Sequence, residues 1–222
     1  MVSAEVMKLA NMRDSKSRGV SLAGSSPALG PIEYSRVLAY VVGVAIGDGN
    51  LSNPNGRAVR LRITCDAKYP NLIQEIKKSI QLIFPSNKVS LVNRADTYLD
   101  ISCYSNQWEK LLGWKVGRGS KVEQNVTVPD WIKDDVELSR FCLKGLIETD
   151  GSIYIDRGYK MVNFVTVIPS LANDVLEMIR RSGFQPHLYQ VSHSQASQKD
   201  KYTVRVSKNT DKFIELIGFN KT

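Results

Sequence analysis

Two stretches of this chain, RVLAYVVGVAIGDGNLS at 36–52 and SRFCLKGLIETDGSIYI at 139–155, match at an offset of about 102 residues. A repeat of that length restricts the possible folds more than any single motif does. The likeness continues downstream. PNLIQEIKKSI at 70–80 matches PSLANDVLEMI at 169–179, with Leu72/Leu171, Ile76/Val175 and Ile80/Ile179 on one helical stripe. TYLDISCYSNQWEKLLGW at 97–114 matches YTVRVSKNTDKFIELIGF at 202–219. There Leu99/Val204 and Ile101/Val206 alternate as half-buried strands, and Trp108/Phe213 and Leu111/Leu216 follow at helical spacing. Each unit reads helix, strand, strand, helix, strand, strand, helix. The fold class is α+β, two αββαββα half-domains whose antiparallel sheets carry helices on one face and together form a saddle.

The units do not read as independent domains. Around Val41 to Ile46 the opening helix is apolar on nearly every side, whereas a helix lying only on its own sheet shows a polar outer stripe. The matching helix of the other unit is the natural second cover. Gly43 and Gly47 share one face of the first helix, and Gly145 and Thr149 repeat the spacing in the second. A glycine inside a helix costs roughly 1 kcal/mol relative to alanine, and close approach of two helix backbones would compensate for that cost. Expected boundaries are an arm over 1–31, a first half over 32–116, a connection over 117–135 and a second half over 136–222. Asn53-Pro54-Asn55-Gly56 and Asp156-Arg157-Gly158 supply hairpin turns.

If the two helices meet, so do their last residues, Asp48 and Asp150. A carboxylate at a helix C-terminus is opposed by the macrodipole, and two brought together repel each other. Such an arrangement invites a cation, and Mg²⁺ accepts a few carboxylate oxygens while keeping water and phosphate in its shell. Gly49 and Gly151 stand where a left-handed cap favours glycine. The charge balance, 30 Lys and Arg against 22 Asp and Glu, suits an anionic partner. Cys65, Cys103 and Cys142 follow no C-x-x-C pattern and read as reduced, buried thiols of an intracellular protein. His187 and His193 have no cysteine near them in sequence, which argues against zinc. No run reaches the roughly 18 apolar residues of a membrane span.

At the two acidic corners, VVGVAIGDG at 41–49 and LKGLIETDG at 143–151, the chain resembles the LAGLIDADG homing endonucleases of the single-chain, two-motif type, over residues 33–222. The resemblance implies that Asp48 and Asp150 bind divalent metal, two or three Mg²⁺ ions with Mn²⁺ as a substitute. It also implies that a monomer hydrolyses both strands of a long double-stranded DNA target across the minor groove, leaving short 3′ overhangs. The family's earlier acidic position is Ile46 in the first motif and Glu148 in the second. Two residues from Asp150, Glu148 points nearly the opposite way on a helix and reads as structural or solvated. The lysine that follows the last helix of each half in this family corresponds to Lys121 and Lys221, with Lys115 a rival for the first.

Strand alternation places the DNA contacts. Leu61 and Ile63 point inward, leaving Arg60, Arg62 and Thr64 outward, with Asn50 and Ser52 beside them. In the second half Ile153 and Ile155 are expected inward, and Ser152, Tyr154 and Asp156 outward. Arg57, Arg94 and Lys160 near strand ends are candidates for phosphate contact. Arginine pairs with guanine in the major groove, where a β-ribbon fits. Two other readings share this surface: a maturase that binds intron RNA to assist splicing, and a DNA-binding regulator without catalysis. An intein domain is disfavoured, since neither terminus carries the Cys or Ser start or the His-Asn end that splicing needs.

Overall fold

The computed structural model describes residues 31–192 and 199–219. Of the expected arm only Pro31 is included, and His193 and Lys221 lie outside the described residues. The first half runs α1 (Pro31–Asp48), β1 (Gly49–Ser52), β2 (Arg60–Asp66), α2 (Pro70–Ile83), β3 (Val89–Ala95), β4 (Tyr98–Tyr104) and α3 (Trp108–Leu112). After a short helix α4 (Asp130–Lys133), the second half repeats it. Its elements are α5 (Val136–Asp150), β5 (Gly151–Asp156), β6 (Tyr159–Thr166), α6 (Pro169–Arg181), β7 (His187–Val191), β8 (Lys201–Val206) and α7 (Thr210–Ile217). The fold is the expected pair of αββαββα units. Each carries a four-stranded antiparallel sheet, ordered β1-β2-β4-β3 and β5-β6-β8-β7.

The two units share one core. Leu38, Ile63, Ile76 and Trp108 belong to the same buried cluster as Leu143, Phe164, Val175 and Phe213. Residues 38–46 of α1 are buried without a break, so the all-round apolar helix has a cover on each flank. The cover on the far side is α5. A side-chain carbon added at Gly43 would stand 3.0 Å from the carbonyl carbon of Cys142 and 3.1 Å from the Leu146 nitrogen. One added at Gly145 would stand 2.6 Å from the Val44 nitrogen. Backbone therefore meets backbone at this level. One turn further on, the place of a Gly47 side chain is taken by Thr149, whose Cβ would lie 2.6 Å away. Thr149 turns its hydroxyl back to its own helix, donating to the Gly145 oxygen at 2.9 Å.

The connection between the halves is more than a tether. Val126, Val128 and Ile132 are buried in it. It is also fastened to α6 of the second half, by Val128 N donating to Asp174 Oδ2 (2.9 Å) and Arg181 Nη2 donating to the Asp134 oxygen (3.0 Å). Asp135 then caps α5, its carboxylate accepting from the backbone of Glu137 and Leu138.

Two local expectations need correction. Gly49 and Gly151 are not left-handed caps: Gly151 has φ −101° and ψ 167°, and Gly49 is absent from the positive-φ glycines. Each is instead the first residue of a strand that doubles back over the last helical turn. A Cβ there would come within 2.7 Å of the Ala45 Cα or of the Ile147 Cα. Ile153 and Ile155 lie on the helix side of the edge strand β5, opposite Val162 and Lys160, but are 37% and 72% exposed. The match of Leu216 with Leu111 in the repeat does not extend to packing: Leu111 is buried, whereas Leu216 is 38% exposed and Ile217 fills the core.

The three cysteines are free and buried, as expected. Burial pushes the Cys103 thiol up to about 11, and burial together with the nearby Asp48 charge pushes Cys65 up to about 12. Among the described residues no helix is long and apolar enough to cross a membrane.

Candidate active site and nucleic-acid interface

The backbone contact of α1 with α5 brings the ends of the two helices together. Asp48 and Asp150 are the last residues of these helices, and both are exposed. The Asp150 Oδ2 atom stands 3.4 Å from the position a Gly47 side chain would take, directly over the last turn of α1. Both carboxylate charges act on a single cation, Lys121. The ammonium of Lys121 donates to the backbone oxygens of Ile46 (2.6 Å) and Gly47, with the Ala45 oxygen at 3.4 Å. It lies near the Trp114 ring, 6.0 Å from its centroid. Burial lowers its pKa, while the two aspartates pull the other way without reversing the shift. The lysine thus satisfies the terminal carbonyls of α1, the negative end of that helix. Lys115, the rival, is exposed, and its backbone N–H and carbonyl are hydrogen-bonded to the Gln124 side chain.

Among the described residues no group of three or more His, Cys, Asp and Glu side chains gathers around one point. Two exposed carboxylates at the negative ends of two helices do fit an ion that takes one or two protein oxygens and completes its shell with water and phosphate, which is the habit of Mg²⁺. Glu148 takes no part in that pair. It is 2% exposed and accepts from the Tyr40 hydroxyl at 2.9 Å, so of its two expected roles the structural one holds. Burial and the neighbouring Glu148 and Glu75 carboxylates drive the Tyr40 pKa upward. Beside this pair, Lys144 Nζ meets Glu75 Oε1 at 2.5 Å.

Register shows which side chains share the open face of each sheet, because directly opposed residues project to the same side. On the first sheet Asn50 faces Arg62 and Ser52 faces Arg60, while Leu61 and Ile63 are buried behind them. Arg60 Nε donates to Ser52 Oγ at 3.2 Å. The Arg62 Nε is buried with no hydrogen-bond partner. Thr64 is outward but committed: its hydroxyl donates to Asp100 Oδ1 at 2.8 Å. Arg94 is committed to the same carboxylate, with Nε 2.6 Å from Oδ2, which lowers its value as a phosphate anchor. Arg57 is exposed in the loop between β1 and β2.

On the second sheet Ser152, Tyr154 and Asp156 oppose Asn163, Met161 and Tyr159, all on the side away from the helices. Lys160 does not join them. It opposes Ile155 on the helix side and pairs with Asp211 of α7 at 2.5 Å, so the expected phosphate contact is a link within the half-domain. Sequence reasoning missed Asn163, Arg205 and Tyr189. Arg205 was within reach, since buried Val204 and Val206 set its face; Asn163 was not, since the register of 159–166 depends on the turn before it.

Comparisons with known proteins agree with this architecture. Residues 137–218 match the family model of the LAGLIDADG-like domain. Structures of mesophilic variants of the homing endonuclease I-DmoI superpose with a TM-score of 0.60 at 20% identity, covering 83% of this chain and 96% of theirs. The complex of I-DmoI with DNA and Mn gives 0.59 over 83% and 97%. The N-terminal LAGLIDADG domain of WhiA gives 0.56 at 14% identity, over 98% and 96%. In sequence, the chain is 27% identical over 246 aligned positions to a tRNA-splicing ligase RtcB of Methanopyrus kandleri, a match covering 98% of this chain but 23% of that relative. The chain thus spans about a quarter of that protein's length. It carries a LAGLIDADG-like domain and has the LAGLIDADG fold seen in I-DmoI.

Proposed function

We propose that this LAGLIDADG chain is a site-specific endonuclease that hydrolyses both strands of a long DNA duplex with divalent metal, acting as a monomer and leaving short 3′ overhangs. The observation that carries the reading is the shared end of α1 and α5, where the backbone contact at Gly43 and Gly145 brings the terminal acids Asp48 and Asp150 together, with Asp150 Oδ2 over the last turn of α1. I-DmoI, similar in fold, has been solved with DNA and Mn, and a single-residue variant of it with its target DNA in the presence of Mg. The corresponding ions here are Mg²⁺, with Mn²⁺ as a substitute.

A bound metal would activate water and neutralise charge on the phosphate. The chain's own residues do the rest. Asp48 and Asp150 supply hard oxygen donors at a place where the ends of two helices meet. Lys121, held on the α1 carbonyls, would keep a fixed positive charge beside the reacting phosphate, where it stabilises developing negative charge. Partial burial favours its release of a proton at lower pH than a solvated lysine. The outward rows Asn50, Ser52, Arg60 and Arg62, and Ser152, Tyr154 and Asp156, fall on the faces that would meet the two half-sites, with Arg57 reaching toward phosphate.

The test is a cleavage selection on a randomised duplex library with Mg²⁺, followed by the selected duplex with Asp48→Asn, Asp150→Asn and the double variant. Double-strand cleavage that disappears in the double variant supports the reading; cleavage unchanged by it ends the role of these acids. Tight duplex binding without cutting under any divalent ion would move the assignment to a DNA-binding regulator. Preference for structured intron RNA over duplex would move it to a maturase.

A further inference from the structure

The two open faces can be laid over each other through their registers. In the first half one row across the sheet reads Asn50, Arg62, Ser102 and Ser90; the equivalent row of the second half reads Ser152, Asn163, Arg205 and His187. Both rows are the first beyond the helix ends. Each holds one arginine, but on different strands: β2 in the first half, β8 in the second.

The second arginine is held from two sides. Arg205 Nε donates to Asn163 Oδ1 at 3.2 Å, and Asn163 Nδ2 donates to the Tyr154 hydroxyl at 3.1 Å, a chain across three strands. The guanidinium carbon lies 5.2 Å from the centroid of the Tyr189 ring. Half-buried, with Nε engaged and one face covered, Arg205 keeps its two terminal nitrogens for something in front of the sheet. A guanidinium so fixed loses little freedom on binding and presents two parallel N–H donors. Guanine O6 and N7 in the major groove are the acceptors that match them.

From this we infer that Arg205, positioned by Asn163, Tyr154 and Tyr189, reads a guanine in the half-site bound by the second sheet. Arg62 reads one in the other half-site. This inference rests on the reading of the chain as a DNA-binding protein and not on cleavage. Arg62 on β2 and Arg205 on β8 stand one strand apart from equivalence, about 4.8 Å across the sheet. The two arginines are thus not symmetry mates, so the two guanines need not be related by a palindrome.

The experiment is a binding selection in Ca²⁺ from a randomised duplex library, using the full chain and its Arg205→Ala, Arg205→Lys and Arg62→Ala variants. The wild type is expected to select guanine at one position in each half. Both Arg205 variants should flatten the preference at the second-half position alone, with a loss of roughly tenfold or more on the guanine-bearing duplex. The lysine variant should keep the salt dependence of binding, since it keeps the charge. Base preference unchanged in both Arg205 variants would overturn the proposal, as would a salt slope lowered with preference intact, the mark of a phosphate contact. A wild type that binds no duplex overturns it together with the DNA-binding reading. Selection of guanine without cleavage in Mg²⁺ removes the nuclease reading alone and leaves this one standing.

Discussion

The two motif helices are alike where their backbones touch and unlike one turn later. Gly43 and Gly145 face each other's helices with no room for a side chain on either. At the next level Gly47 makes room and Thr149 fills it. At the position two residues before each terminal acid the halves differ most: Ile46 is buried among apolar side chains, and Glu148 is buried on the Tyr40 hydroxyl. Beyond the helices, the Lys121 ammonium donates to the terminal carbonyls of α1. Symmetry has been kept only where geometry admits one solution. Elsewhere each half has its own chemistry, so under the proposed function the two strand-cutting positions are expected to differ.

The largest test of that inequality concerns the lysine. Lys121→Met should slow cutting by roughly 100-fold or more, the usual cost of removing a fixed donor from such a site, while duplex binding in Ca²⁺ changes little. Because Lys121 sits on α1, one strand should slow more than the other, and nicked duplex should accumulate on a denaturing gel. Equal slowing of both strands would make the lysine a group shared by the two halves.

The next test breaks the part of the comparison that is symmetric. Gly43→Val and Gly145→Val should each cost roughly 3 kcal/mol, because overpacking here pushes a side chain into backbone that cannot move aside. Thr149→Ala, at the level where symmetry is already lost, should stay within about 0.5 kcal/mol. Urea unfolding of the three variants measures the difference, and similar costs at all three positions would mean that the backbone contact is not the tight one.

These same residues show what can be read without coordinates. An all-round apolar helix carrying glycines four apart has few explanations, so the helix pair and the joined acids were legible in Val41–Ile46 and in Gly43, Gly47 and Gly145. Alternation gave the faces of Leu61, Ile63, Arg60 and Arg62 correctly, since one strand fixes its own two faces. It gave the face of Ile153 and Ile155 as well, but whether a helix covers that face is set by elements distant in sequence. Lys160 was misplaced for a related reason. Its side is decided by the two-residue turn at Arg157 and Gly158, both at positive φ, which pairs Asp156 with Tyr159 and so sends Lys160 toward α7. A one-residue change of register reverses every such assignment. Gly49 and Gly151 were recognised as necessary for the wrong reason, because sequence shows where a helix ends and not how sharply the chain then returns.

A smaller effect is expected at the buried acid that only the second motif carries. Tyr40→Phe removes the donor that Glu148 accepts across the interface and should cost about 1.5–3 kcal/mol, as for hydrogen bonds to charged groups. Restoring likeness between the motifs with Glu148→Ile in the same background should recover part of that loss, since it removes a buried carboxylate that has lost its Tyr40 donor. Thermal unfolding of the single and double variants gives the answer; additive losses would show that the two side chains are not coupled.

The smallest effect separates the open faces of the two sheets. Strand register shifts the sequence match of β4 with β8 by two residues, setting Ile101 level with Val204, so Asp100 and Thr203 hold equivalent places, opposite Thr64 in one sheet and Val165 in the other. Burial opposes the Asp100 charge, but hydrogen bonds from Arg94 and Thr64 and the charges of Arg62 and Arg94 outweigh it and hold the carboxyl below its ordinary 3.8. A carboxyl depressed by folding adds stability that is complete above its unfolded value and disappears as pH falls through the folded one. With Arg94 45% exposed, solvent screening keeps that contribution under about 1 kcal/mol. Asp100→Asn should therefore lower stability slightly at neutral pH, and its unfolding curve should converge on that of the wild type as the pH drops below 3.8. Thr203→Ala should show no such pH dependence. Convergence in both variants would mean that acid acts elsewhere in the molecule, and that Asp100 does not distinguish the first sheet from the second.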